Sequence, residues 1–254
     1  AGDAAYAGAL SGRSKDSSFY NIGYKNITVS GGINTFVTGE GTREIGGLLG
    51  SVSGAARINQ VRGENITLNG LSQLGGLAGT FYPTTTDAVS DVQLKGVTIT
   101  IGGYAPLAAN NVGGLMGRFE SRGTGNSTLK RSGVSNVDIR TKTGQKTNGN
   151  IGGLIGATYK ASITESYSSG SVVADNVLIS TNWIYGGVGG LVGVLQLSSL
   201  ENTYAQTAVT LNGNHTSFQG LGGLVGHAAD TSSIINSYST GQVSSNMTGT
   251  AAKY

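Results

Sequence analysis

The chain has 254 residues, of which 44 are Gly and 2 Pro, with 11% charged residues and a formal net charge of +3. Scarce proline and no Gly-X-Y period exclude collagen, and regularly recurring Val, Ile and Leu at low net charge argue against disorder. Cysteine is absent, which excludes disulfides and thiolate metal sites, and no apolar run reaches the length of a membrane-spanning helix.

From the start of the chain, one short turn returns again and again. A weak copy, Gly8-Ala9-Leu10-Ser11-Gly12, comes first. Complete Gly-Gly-Leu-x-Gly copies follow at Gly46-Gly47-Leu48, Gly75-Gly76-Leu77 and Gly113-Gly114-Leu115. They continue at Gly152-Gly153-Leu154, Gly189-Gly190-Leu191 and Gly222-Gly223-Leu224. Successive copies lie 29 to 39 residues apart, and each complete one follows an aliphatic residue, from Ile45 to Leu221. Internal repeats with such a period are the signature of stacked architectures. Glycine suits a bend that needs positive φ or close backbone approach. The Leu between the glycines is expected to fill the interior.

Within each period a second pattern appears. In the first four repeats an apolar residue precedes a β-branched one by eight positions, as in Phe19/Ile27, Ile58/Ile66, Val89/Val97 and Leu129/Val137. In the last three the separation is nine and a Tyr intervenes: Ile163/Tyr167/Val172, Leu200/Tyr204/Val209 and Ile234/Tyr238/Val243. Segments such as Ile27-Thr28-Val29 and Val97-Thr98-Ile99 alternate as strands do. The reading is an all-β, parallel β-solenoid forming one domain over residues 1–254, with about seven coils and three short strands per coil. At a rung spacing of about 4.8 Å the rod would be about 35 Å long. Coils open near residues 8, 46, 75, 113, 152, 189 and 222.

These turns resemble the GLUG-motif repeats, as do the following segments Ser162-Ile163-Thr164-Glu165-Ser166-Tyr167 and Ser233-Ile234-Ile235-Asn236-Ser237-Tyr238. Such repeats occur in bacterial surface and secreted proteins, including β-helical parts of immunoglobulin A-specific metalloproteases and large adhesin-like chains. The resemblance implies a right-handed β-helix at the cell surface or beyond, exported by a bacterium or similar microbe. The first residue, Ala1, is not Met, which fits the mature form of an exported protein. No metalloprotease signature accompanies the repeats, so that activity does not carry over.

Candidates for chemistry are few. His215 and His227 belong to no metal-spaced pair, and the recurring glycine turns lack the Lys and Ser/Thr of a phosphate loop. No cofactor or metal is expected. Aligned repeats place Asn21, Gln60, Asp91, Arg131, Glu165, Asn202 and Asn236 in one column. There Asp91, Arg131 and Glu165 would be consecutive, either as an acid/base site of a carbohydrate-active enzyme or as ordinary charge laddering; laddering is the expected outcome. A second column, Thr28, Thr67, Thr98, Asp138, Val173, Thr210 and Ser244, is the only hint of an ice-binding rank. Tyr167, Tyr204 and Tyr238 should stack. Trp183 and Tyr185 either hold a sugar ring or cap the core. Length variation falls in 30–44, 102–111, 140–150, 180–187 and 212–220, loops expected along one edge as contact surface. Sequons at Asn26, Asn65, Asn126, Asn214 and Asn246 permit glycosylation.

The basic segment Arg140 to Lys146 reads as a solvated loop, so no nucleic-acid partner is expected. No helix or charged cap is evident at either end. Joining residue 254 to residue 1 of a neighbour would give a spacing of about 40, close to the repeats, which suggests self-association through the solenoid ends into a fibre. The expected role is a non-catalytic extracellular structural or adhesive scaffold. A carbohydrate-active enzyme, or a module binding a surface glycan, host ligand or ice, is the alternative.

Overall fold

A computed structural model describes residues 6–31, 44–102, 110–142, 147–175, 177–178, 186–213 and 220–247. All its regular elements are strands, and every pairing between them is parallel. The chain is a β-solenoid. Three sheets run its length, so that each coil contributes to a sheet before the glycine turn, a sheet after it and a third, wider sheet.

The turn connects the first two. Glu44–Gly46 leads into it and Leu49–Gly54 leaves it, and the same pair returns as Gln73–Gly75 with Ala78–Pro83 one coil on. The leucines behave as expected: Leu48, Leu77, Leu115, Leu154 and Leu191 are at most 3% exposed. The reason for the glycines is narrower than expected. None of them takes a positive φ; what they provide is absence of a side chain. A Cβ on Gly47 would meet the carbonyl oxygen of Gly76 in the next coil at 2.2 Å, and one on Gly153 would meet that of Gly190 at 2.1 Å. The final glycine works against the previous coil, since a Cβ on Gly79 would lie 2.5 Å from the Ile45 nitrogen. Coil stacks on coil through bare backbone at this corner.

Two expectations need correction. The sheet after the turn has seven strands, but only the five coils opening at Gly46, Gly75, Gly113, Gly152 and Gly189 have a neighbour on both sides. The first and last coils have one neighbour each, and their turns are only partly buried. The closed solenoid is thus about five turns with a half-covered coil at each end, not seven equal coils. The third strand is also not short. In the first three coils it runs unbroken as Ser18–Ser30, Arg57–Gly70 and Asp87–Ile101. From the fourth coil it divides, as Ser127–Lys130 with Gly133–Thr141 and Ala161–Thr164 with Tyr167–Asp175.

The core follows the sheets. Ile45, Leu74, Val112, Ile151 and Val188 form one buried rank, and Ile58, Val89, Leu129, Ile163 and Leu200 another. Phe81 stacks on Phe119 at 5.8 Å in the interior. The tyrosine ladder is present: Tyr167 to Tyr204 is 5.3 Å and Tyr204 to Tyr238 is 5.5 Å, with rings within 10° of parallel. Such stacking adds to area burial.

Candidate functional site

The column containing Asp91, Arg131 and Glu165 is a backbone feature before it is a chemical one. All seven members, Asn21, Gln60, Asp91, Arg131, Glu165, Asn202 and Asn236, have φ between 47° and 57°. This left-handed conformation bends the third sheet once per coil. Asn tolerates it best among residues with a Cβ, which accounts for Asn in three of the seven places.

The structure does bring the three charged residues together, as a ladder. Arg131 donates from Nε to Asp91 Oδ1 and from Nη2 to Oδ2, both at 2.8 Å. Glu165 follows on the next coil, bonded through its backbone to Glu201 O and exposed at its side chain. The hydrogen bond from Arg131 holds the Asp91 carboxyl below the usual aspartate range, and the same contact raises the guanidinium. An aspartate clamped as an anion accepts protons poorly and donates none, so this geometry serves the bend more than acid/base chemistry.

Hydroxyls bolt the bend from coil to coil. Ser132 Oγ donates to Lys130 O at 2.9 Å and accepts from the Val92 amide at 3.2 Å. Ser166 repeats this with Thr164 O and the Ser132 amide, and Ser237 with Ile235 O and the Thr203 amide. Coils two and three carry Val61 and Val92 at this place instead.

A second left-handed rank exists only in the first four coils: Asn26, Asn65, Gly96 and Asn136, with φ from 54° to 68°. It explains two sequons structurally, since Asn65 Nδ2 donates to Asn26 Oδ1 at 3.1 Å. Its loss at the fifth coil shifts the register. Val137 pairs with Gly170, and Ile139 rather than Val137 pairs with Val172. The expected Thr column is therefore two columns. Thr28, Thr67, Thr98 and Asp138 continue to Ser171, while Val173, Thr210 and Ser244 continue the neighbouring rank of Thr100 and Arg140. A flat ice-binding rank is not formed.

Sequence reading missed a buried polar seam between the first two sheets. Glu44, Gln73, Asn111 and Asn150 stack in register, each at most 8% exposed. Asn150 Nδ2 donates to Asn111 Oδ1, and Asn111 Nδ2 to Gln73 Oε1, both at 2.8 Å. Thr80 donates to Glu44 Oε2 and lies 3.0 Å from Ser51 Oγ. Among the described residues Asn150 Oδ1 has no hydrogen-bond partner, and the next coil places Gly187 opposite it. The signal was available: each polar residue stands two places before the first glycine of a turn. Nearby, Glu120 is paired with Arg118 at 2.7 Å and Arg122 at 2.9 Å, and burial raises the Tyr82 phenol.

Other expectations fall unevenly. Arg140 is tied to Asp138 at 2.7 Å, whereas Lys146 lies outside the described residues. So do His215, Trp183, Tyr185, Asn214 and most of the variable loops, each of which joins the third sheet of one coil to the first sheet of the next. His227 sits half-buried in Val225–Ala229, where burial lowers its pKa and Asp230 opposes the shift. Among the described residues no three His, Cys, Asp or Glu cluster as metal ligands.

The outer face of the third sheet holds an open groove of about 670 Å³ across the first four coils, lined by Lys25, Arg62, Glu64, Gln93, Lys95 and Tyr167 among others. None of Asp91, Arg131 or Glu165 lines it.

Against known proteins, the GLUG motif family model matches residues 147–173 and 219–244, parts of the fifth coil and the last. Halomucin of Haloquadratum walsbyi (strain DSM 16790 / HBSQ001) is 32% identical over 160 residues. That match takes in 59% of this chain and 2% of Halomucin, so the chain spans a small fraction of that relative's length. No solved structure matches. Repeated turns and parallel register agree: the chain is a β-solenoid, and two of its segments, 147–173 and 219–244, match the GLUG motif.

Proposed function

We propose that the protein is a non-catalytic structural scaffold of the cell surface, whose solenoid stacks end to end on further copies of itself. The observation that carries this reading is the strand edge of the last coil, which among the described residues pairs with no further strand. There Ile234 and Val243 are 45% and 44% exposed, where the same ranks inside the rod, at Leu200 and Val209, are buried. Leu10 and Tyr20 are similarly exposed on the first coil. Open parallel edges with apolar ranks are templates for another coil, and a head-to-tail contact of this kind propagates into a filament. The GLUG match and the similarity to Halomucin support a surface setting and an adhesive or structural role.

The carbohydrate-active alternative has less support, because Asp91 is held as an anion by Arg131 at an exposed bend away from the groove.

Negative-stain electron microscopy of the purified chain over a concentration series tests the proposal. Filaments with an axial repeat of about 35 Å, the height of the stacked rungs, are the expected result. Isolated short rods at every concentration would overturn end-to-end stacking.

A further inference from the structure

The groove on the third sheet is built by the two left-handed ranks. Between them each of the first four coils turns two residues outward. One rank runs Gly23, Arg62, Gln93 and Gly133, and the other Lys25, Glu64, Lys95 and Ser135. Glycine keeps it open: nothing lies within 4 Å of where a Cβ of Gly23 would stand. Its floor is closed from inside, where the Tyr24 ring occupies the space a Gly63 side chain would need.

Tyr167 closes one end. Its ring lies over Gly133, where a Cβ would stand 2.3 Å from it, and its hydroxyl donates to Gln93 Oε1 at 2.7 Å. The fifth coil has lost the second bend, so the groove ends where the repeat spacing changes from eight to nine.

Charge selects the occupant. Lys25, Arg62 and Lys95 face the groove against the single carboxylate of Glu64. Among the described residues Lys25 and Lys95 have no carboxylate within ion-pair reach. Three exposed cations against one carboxylate, beside Gln93 and the Tyr167 hydroxyl, suit a ligand that carries carboxylates or sulfates as well as hydroxyls. The four coils are already paired through the groove, so an extended peptide finds no strand edge to join there. Rungs about 4.8 Å apart match the advance of one pyranose per coil.

The geometry points to this groove as a binding site for an acidic oligosaccharide of about three or four sugars, lying along the solenoid axis with its acid groups on Lys25, Arg62 and Lys95. The site stands apart from end-to-end stacking and does not depend on it.

Isothermal titration calorimetry with tetrasaccharides of pectate, hyaluronate and heparin tests it, with chitotetraose and a poly-glutamate peptide as comparisons. At least one acidic tetrasaccharide should bind, more weakly as salt rises. Lys95→Glu, with an unchanged melting curve, should weaken that binding by about tenfold or more. Glu64→Gln should strengthen it. The proposal is overturned if no acidic sugar binds, if chitotetraose or the peptide binds as well, or if both substitutions leave the affinity unchanged.

Discussion

The hydroxyl of Tyr24, in the first coil, donates to the carbonyl of Gly76, in the third, at 2.9 Å. The ring spans the second coil by passing through the place where Gly63 has no side chain; a Cβ there would come within 2.6 Å of it. One tyrosine thus ties three coils together and closes the groove floor.

Removing that hydroxyl tests the tie. Tyr24→Phe should cost about 1 kcal/mol, the net worth of a typical hydrogen bond, and Gly63→Ala should cost more through overpacking, about 1–3 kcal/mol. Burial raises the Tyr24 phenol well above its ordinary value. Its contribution is therefore complete below about pH 10, the unfolded value, and is lost progressively above it. Denaturant melts at pH 8 and pH 11 should show the alkaline loss in the natural chain and less of it in Tyr24→Phe.

The turn glycines should be intolerant of any side chain. Gly153→Ala puts a methyl group 2.1 Å from the Gly190 carbonyl oxygen, which neither backbone can relieve locally. A loss of about 3 kcal/mol or more, or failure to fold, is expected. Thermal melts by circular dichroism check it, with the exposed Gly125→Ala as the comparison, since nothing lies near that position.

The bend column offers a gain instead. Glu165 stands at φ 49° on an exposed corner, so Glu165→Gly should stabilise the fold by about 0.5–1 kcal/mol through relief of the left-handed strain. Glu165→Val should destabilise it, because a β-branched residue resists that conformation. Paired denaturant titrations would read both signs, and equal stability of the two variants would contradict the assignment.

His227 makes the last coil sensitive to acid. Its folded pKa lies below the ordinary 6.5 because of burial, so the stability linked to its neutral form is present above about pH 6.5 and is lost as pH falls through the folded value. Amides of Val225–Ala229 should exchange hydrogen faster at pH 5 than at pH 7.5, after correction for intrinsic rates. His227→Gln should flatten that difference.

Much of this architecture was legible in the residues. Six complete Gly-Gly-Leu-x-Gly copies dictated a stacked fold and inward leucines, because a corner that repeats in register admits no side chain where backbones touch. The tyrosine ladder was legible for the same reason: equivalent positions in a parallel stack must meet. The charged column could be located but not understood, since sequence does not display φ, and only the backbone reveals that Asp91, Arg131 and Glu165 occupy a bend, on which Asp91 and Arg131 form an ion pair. The register shift between Val137 and Gly170 was hidden because a lost bend changes pairing without changing the strand character of either segment. The groove belongs wholly to the tertiary structure: Lys25, Arg62, Lys95 and Tyr167 come from four coils, and only stacking two left-handed ranks side by side brings them around one space.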